Sequence, residues 1–468
     1  TPGRITGLAA GNATVTARIT PLSGTASLAV QTDPTDLDVT YISRTPRYNY
    51  DASPNNPTVG QQVTWTAHVR TWGTIVPASA DYEWRYDGQV VASGTLNSFT
   101  SGGEATATLN HAWEGGSGDH TIAFTIDPAN AVSELTELNN TRTYRTDAVL
   151  AGFWVEQSMY DYFHLHQRDL GSAIGANSWE DWIQRQMAKH NQLCEEAIWP
   201  VSPQGVLDRV RVDEITIVPD GALPLAGGLA TNNPDLRDKT IDLMWGFPSS
   251  QLNSTFYANT TSVSETNPFY IEQSLIHELG HARYLIDEYG FDVHNTASMG
   301  GYDQVQILEN GVPIAGTPYM PFVAFNEVLH YNTSGGVMSG PYGFHYSPHE
   351  AGALNLIAGR RAQCGNYNAP CNIGVYLNDL PTRNHVRVVD SADCPIAGAQ
   401  IRVYQAAAGQ GLYGKTFDNT PDLTFTTNSA GEVLMPRNPF SNTGPITHWN
   451  PVNGVAILRI AGTPAYPS

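Results

Sequence analysis

A chain of 468 residues with 41% apolar and 15% charged residues is long enough for several folded domains and too apolar to be disordered. Its 24 basic residues against 44 acidic ones give a net charge of −20, which repels nucleic acid and anionic membrane surfaces. No apolar run approaches the roughly eighteen residues of a membrane span, and the opening TPGRITGLAA lacks the charged start and apolar stretch of a signal peptide, so a secreted form would be a processed one.

Residues 1–45, with GNATVTARITPLSGTASLAVQ, alternate as two strands. They resemble the last two strands of a bacterial immunoglobulin-like domain. A hairpin is only marginally stable alone, so it must dock on a neighbour, belong to a longer chain, or complete a sheet in another copy. Residues 46–147 carry short alternating runs, QQVTWTAHVRTW, ADYEWRYDGQVVASGTL, GEATATLNHAW and DHTIAFTIDP, at the spacing of a β-sandwich. The closing DPANAVSELTELNN, an Asp-Pro turn followed by Glu-x-Asn-Asn, is similar to the CARDB family, an adhesion-type module related in architecture to fibronectin domains. Ca2+ is a candidate ion for that acidic, Asn-rich turn; solvated acids on an edge turn are the plainer expectation.

The middle, 148–370, mixes helices and strands. AVLAGFWVEQ reads as a first strand, SWEDWIQRQMAKHNQLCEEA as a helix capped by Ser178, and VRVDEITIVPD and TIDLMWGF as further strands. Next comes HELGHARYLIDEY, from His277 to Tyr289. Histidines four apart share one helix face, so His277 and His281 can hold one metal while Glu278 projects toward a bound water. Ser274, Leu275, Ile276, Leu279, Leu285 and Ile286 give that helix a small or apolar stripe, and Asn267-Pro268 is a suitable start. Beyond it, YDQVQILENGVPIAGTPYMP predicts a hairpin around Asn310-Gly311.

The segment GGVMSGPYGFHYSPHEAGALNLIAGRR, Gly335 to Arg361, follows in the same unit. With the His-Glu-x-x-His helix it resembles the metzincin zinc proteases. In those enzymes a methionine turn lies beneath the metal, then a tyrosine-bearing loop and a Ser-Pro-capped helix; Met338, Tyr342, Tyr346 and Ser347-Pro348 match in order. The resemblance implies a third ligand six residues past the second histidine. That position is Asp287, as in snapalysin-type members, while IgA-peptidase-like enzymes place an Asp-Glu-Tyr one residue later than Asp287-Glu288-Tyr289.

On an unbroken helix Glu288 would lie about 10 Å along the axis from His281, too far for a bond of about 2 Å. The helix must therefore unwind after Tyr284 or Leu285, and Gly290 is the nearby residue that favours a turn. Asp287, Glu288 and, from a separate helix as in gluzincins, Glu327 are the candidate third ligands. The resemblance implies Zn2+ with an open position for water, Glu278 as general base, and Tyr342 or Tyr346 as donor to the tetrahedral oxyanion. Position 340 is Gly, where astacin-like relatives carry the tyrosine. His294, His330, His345 and His349 read as surface or hydrogen-bonded histidines.

Cys364 and Cys371 in CGNYNAPC are spaced for a small disulfide. Cys194 and Cys394 either pair, tying the middle unit to the last, or remain free thiols. Residues 371–468, with VRVVDSADCPIAGAQIRVYQ and LTFTTNSAGEVLMP, resemble the prealbumin-like or carboxypeptidase-regulatory sandwich, matching it in the Asn-Ser-Ala-Gly turn. Low lysine usage with abundant Thr, Asn, Gly and Tyr fits a secreted or cell-surface bacterial protein.

The expected architecture is thus multidomain: an α+β metzincin-like catalytic domain between all-β immunoglobulin-like sandwiches. The function it implies is a secreted zinc endopeptidase acting on an extracellular protein or glycoprotein, with neither a nucleic-acid partner nor a membrane span. The second expectation is an adhesive or filament-forming surface protein, self-assembling or glycan-bound through its β modules, with a latent or structural metal site.

Overall fold

The computed structural model describes residues 11–19, 22–30, 34–47, 56–114, 120–161, 178–224, 240–251, 273–283, 285–288, 293–294, 305–309, 312–313, 330–331, 335–339, 345–356, 384–405, 415–418, 420–435 and 456–462. Strands β1 (Gly11–Ile19) and β2 (Leu22–Val30) pair antiparallel, from Gly11 opposite Val30 to Ile19 opposite Leu22. The expected N-terminal hairpin is present, and among the described strands neither member pairs beyond it.

Seven strands build a sandwich: β3 (Asp36–Thr45), β4 (Gln62–Trp72), β5 (Ser79–Tyr86), β6 (Gln89–Asn97), β7 (Glu104–Ala112), β8 (Thr121–Ile126) and β9 (Thr141–Arg145). One sheet has the order β3-β4-β7 and the other β6-β5-β8-β9, all antiparallel. The two-residue period drives this arrangement. Val63, Trp65, Ala67 and Val69 of β4 point inward, and Ile122, Phe124 and Ile126 of β8 meet them. Trp84 packs edge-on to Phe124 with ring centroids 4.8 Å apart, at the centre of this core. The first strand comes from residues 36–45, so the sandwich begins ahead of the boundary expected at residue 46.

The middle unit starts with β10 (Val149–Glu156), every residue of which is buried. A strand buried throughout, and apolar but for its last residue Glu156, belongs in the centre of a parallel sheet, covered on both faces. It pairs in parallel with β11 (Val210–Val218) on one side and β12 (Leu243–Phe247) on the other. Between β10 and β11 runs α1 (Trp179–Glu196), capped by Ser178, whose side chain accepts the Asp181 N–H at 3.1 Å. Two shorter helices follow, α2 (Gln273–Ala282) and α3 (Pro348–Leu356).

Sandwich and middle unit share a core. Tyr41 and Trp72 of the sandwich pack in the same apolar cluster as Phe153, Trp179, Trp182 and Phe247. Polar side chains lock the seam: Ser178 Oγ donates to Asp38 Oδ2 at 2.6 Å, Gln184 Nε2 to the Thr40 carbonyl at 2.6 Å, and Arg70 Nε to Glu180 Oε1 at 3.0 Å. Arg142 of β9 bridges Asp38 of the sandwich and Asp181 of α1.

Beyond α2 the described strands are β13 (Val293–His294), β14 (Val305–Glu309), β15 (Val312–Pro313), β16 (His330–Tyr331), β17 (Asn384–Arg387), β18 (Gln400–Gln405), β19 (Lys415–Asp418), β20 (Leu423–Thr426), β21 (Glu432–Met435) and β22 (Ala456–Ala461). β14 and β15 form the hairpin expected around Asn310-Gly311. β14 also pairs in parallel with β19 of the last region, a contact that local sequence gives no sign of. The Asn428–Gly431 turn closes as expected, with Asn428 Oδ1 accepting the Ala430 and Glu432 N–H groups, both at 2.9 Å. Among the described residues no helix is long and apolar enough to cross a membrane.

Candidate metal centre

Helix α2 is wedged between two apolar clusters. Leu275, Leu279 and Ala282 face the β10–β12 sheet, and Ile276 faces a second cluster containing Leu285, Ile286, Val337 and Met338. Each large side chain buried this way stabilises the helix's placement by about 1.5–3 kcal/mol. With two faces committed, the remaining face carries His277, Glu278 and His281.

The helix ends at Ala282. The Arg283 N–H reaches back to the Gly280 carbonyl at 2.9 Å and the Leu285 N–H to the same carbonyl at 3.0 Å. The reversal is therefore complete before Gly290, the turn residue expected from sequence, which lies outside the described residues. It brings Asp287 back onto both histidines, with Asp287 Oδ1 3.0 Å from His277 Nε2 and 3.3 Å from His281 Nε2.

The other ring nitrogens are fixed by backbone. His277 Nδ1 donates to the Val337 carbonyl at 2.9 Å and His281 Nδ1 to the Leu285 carbonyl at 2.8 Å, with the imidazoles nearly perpendicular. Such bonds set the tautomer that leaves Nε2 available to a metal. Ligands around a tetrahedral Zn2+ at about 2.0 Å lie about 3.3 Å apart, so these separations suit that ion. The three donor atoms all fall within 4.8 Å of one another. Burial disfavours charge on His277, but the Asp287 carboxylate outweighs it and raises the imidazole to about 9. Burial would also raise the Asp287 carboxyl; hydrogen bonds from the two imidazoles win and push it below the usual carboxylate range.

Met338 lies in a short 3-10 turn, Val337–Ser339, and is fully buried. Its sulfur approaches α2 at Gly280, where a methyl group would fall 2.5 Å away. Glu288 is no candidate ligand here, because its oxygens accept hydrogen bonds from Ser347 Oγ at 2.9 Å and Ser339 Oγ at 3.1 Å. Ser347 and Glu350 form a capping box on α3. Ser347 Oγ accepts the Glu350 N–H at 3.1 Å, and Glu350 accepts the Ser347 N–H in return. Glu350 also accepts the Met338 N–H, tying the turn to the helix cap. Burial, reinforced by Glu288, raises Glu350 to about 8.

Tyr346 is fully buried in the Met338 cluster, edge-on to His190 at 5.8 Å, and among the described residues its hydroxyl has no hydrogen-bond partner. Burial of that phenol argues against the oxyanion role expected of it. Tyr342, Glu327, Cys364 and Cys371 lie outside the described residues, as does Asn267-Pro268. Cys194 and Cys394 are both free, the first buried and the second exposed, so the bond between them does not form. Burial raises the Cys194 thiol to about 12 and, with Arg283 and Arg209, lowers the adjacent His190 to about 3. His345 and His349 are exposed, as expected.

The acidic turn after β8 differs from the solvated edge expected of it. Asp127 is buried, with its carboxylate accepting the Ala131 and Val132 N–H groups at 3.0 and 2.7 Å. Asn140 Nδ2 donates to Glu134 Oε1 at 2.9 Å and Glu137 Oε2 at 2.7 Å. The turn's acids thus hold the loop's own backbone and amides. Sequence reasoning named Ser347 as a helix cap but passed over Ser339 and Glu350 as supports of the site; the Ser-x-x-Glu spacing of a capping box was the signal available for Glu350.

Several solved structures are similar to part of the chain. A crystal structure of a CARDB domain from Pyrococcus furiosus, in complex with di-metal ions, shares 23% identity, covering 25% of this chain and 94% of its own, with a TM-score of 0.19. A solution structure of that domain matches at 23% identity over 24% and 93%, TM-score 0.18. A domain named as part of a cell surface protein of Methanosarcina acetivorans matches at 31% identity over 23% and 86%, TM-score 0.18. No curated protein matches. The CARDB family model matches residues 35–144, the span of the sandwich from β3 to β9, and this part of the chain is a CARDB domain.

Proposed function

We propose that the chain is a secreted zinc-dependent endopeptidase, with a metzincin-like α+β unit across residues 148–370 and peptide bonds of extracellular proteins as its substrates. The convergence of His277 Nε2, His281 Nε2 and Asp287 Oδ1, each imidazole oriented by a backbone carbonyl, carries this reading. Two nitrogens and one carboxylate oxygen are a zinc-type donor set, and a bound Zn2+ would supply Lewis acidity and an acidified water.

Glu278 is half-buried beside His277, on the helix face that carries both histidines. There it takes the proton from the attacking water and passes it to the leaving amine. A structural metal site needs no such base, which favours catalysis. Tyr342 is the remaining candidate donor to the oxyanion. The buried Met338 turn and the Glu288, Ser339 and Ser347 bonds support the segments that carry the ligands.

The CARDB domain favours a second reading, an adhesive or filament-forming surface protein in which the metal is latent or structural. Measuring zinc content and casein cleavage in the native chain and in Glu278→Gln separates the two. Zinc retained in both with cleavage only in the native chain is the expected result; zinc without cleavage in either supports the adhesive reading, and no zinc sinks both forms of the metal-site assignment.

A further inference from the structure

One tip of the CARDB sandwich gathers a second set of metal-type donors, remote in sequence from the His277 centre. Asp87, at φ 47° in the β5–β6 turn, meets His120 just before β8, with Oδ2 2.8 Å from the imidazole Nδ1. Its other oxygen accepts the Thr121 N–H at 2.8 Å, and its own N–H donates to the Thr121 carbonyl at 3.0 Å, so the residue is pinned at both ends. After β7, on the opposite sheet, Glu114 Oε1 lies 3.3 Å from His111 Nε2. Tyr86 packs against both imidazoles, its ring centroid 4.1 Å from that of His111 and 5.6 Å from that of His120.

We propose that Asp87, His111, Glu114 and His120 form a second divalent-metal site, for a borderline ion such as Zn2+ or Cu2+. Two histidine–carboxylate pairs on a surface are ordinary. Their convergence is not: donor atoms of Asp87, Glu114 and His120 all lie within 4.8 Å of one another. Two carboxylates that close repel, and a divalent cation relieves the repulsion while leaving the imidazoles neutral as ligands. Imidazole donors select against Ca2+ and Mg2+, which take oxygen. Because the donors come from both sheets, the ion ties the two sheets together at this tip of the sandwich.

The test titrates the metal-stripped full chain with Zn2+, and separately with Ca2+, measuring bound metal and thermal midpoint alongside His111→Ala/His120→Ala. The native chain should bind one more Zn2+ than the double variant, and Zn2+ should raise the native midpoint further. Asp287→Asn should keep this extra equivalent, which separates the tip from the α2 centre. Glu114→Gln, at an exposed strand end, should weaken the same equivalent by about tenfold and serves if the double variant fails to fold. Equal zinc stoichiometry in native and variant chains, or an equivalent at these residues that Ca2+ fills in preference to Zn2+, overturns the proposal.

Discussion

The sulfur of Met338 lies so close beneath Gly280 that an alanine methyl at that position would sit 2.5 Å from it. The glycine between the two metal-type histidines is thus the point where the methionine turn presses on the helix. Gly280→Ala must displace the Met338 sulfur, the far end of a flexible side chain, within a fully buried cluster, at a cost of about 1 kcal/mol. Zinc affinity should fall by about 10-fold or more, because the Val337 carbonyl that orients His277 moves with the turn. Urea unfolding and a zinc competition titration read the two effects; an unchanged midpoint and affinity would show that the turn is not in register with the helix.

Asp287→Asn keeps the side chain's shape and removes its charge. Without the carboxylate His277 should return from about 9 toward the ordinary histidine range, measurable by NMR titration of the metal-free chain. Zinc affinity should drop by about tenfold or more, since a neutral amide oxygen is a weaker donor than a carboxylate. Retained affinity would point instead to a third ligand outside the described residues.

Much of this centre was legible in the sequence because its parts are local. The His277–His281 spacing follows from helical periodicity, and an apolar stripe at Leu275, Ile276 and Leu279 fixes which face is free. Strands β10, β11 and β12 and the Ser178 cap followed from apolar runs and a single capping residue. Asp287 could be selected from Glu288 only by the path of the chain after Ala282, which depends on the Gly280 carbonyl receiving two N–H groups. The burial of Tyr346 and the pairing of β14 with β19 are tertiary facts with no local signature. The docking of β3 on α1 was missed for a related reason. Asp36 and Asp38 are both buried, the first accepting from Asn139 of the sandwich and the second from Ser178 of the middle unit, and local sequence marks neither.

Ser347→Ala tests the support beneath the ligands. It removes the cap on α3 and the hydroxyl that donates to buried Glu288 at 2.9 Å. Losing both should destabilise the fold by about 1–3 kcal/mol, and Ser347→Thr should restore most of it. A threonine no better than alanine would mean that the hydroxyl's bonds carry little of the effect.

Glu134 gives the CARDB domain a pH dependence of defined sign. Burial, aided by Glu137 and Asp36, raises its carboxyl to about 8, against the Leu37 N–H and Asn140 amide that oppose the shift. A raised carboxyl binds its proton more tightly folded than unfolded, so stability is fully present below the unfolded value near 4.5 and declines as pH rises through about 8. Glu134→Gln should flatten that decline. Thermal midpoints for native and variant chains across this window decide it, and parallel pH profiles would remove Glu134 as the cause.

Arg142 of β9 joins the CARDB domain to the middle unit through Asp181, while two bonds to β3 hold it in place. Its Nε donates to the Val39 carbonyl at 2.7 Å, one Nη reaches Asp38 Oδ1 at 3.4 Å, and the same nitrogen pairs with Asp181 in the first turn of α1. Asp38 and Asp181 are both buried, so removing the guanidinium takes away the cation that pairs with both of them. Burial and Asp181 already raise the Asp38 carboxyl well above its ordinary value. Arg142→Ala should therefore destabilise the chain by about 3–5 kcal/mol, more than a surface arginine could. Because Tyr41 and Trp72 lie in the same core as Trp179 and Phe247, the loss should appear in both units as one shifted urea transition, followed by tryptophan fluorescence and by zinc release. Two separated transitions, with zinc retained through the first, would show that the CARDB domain and the metal unit unfold independently and that the shared core does not couple them.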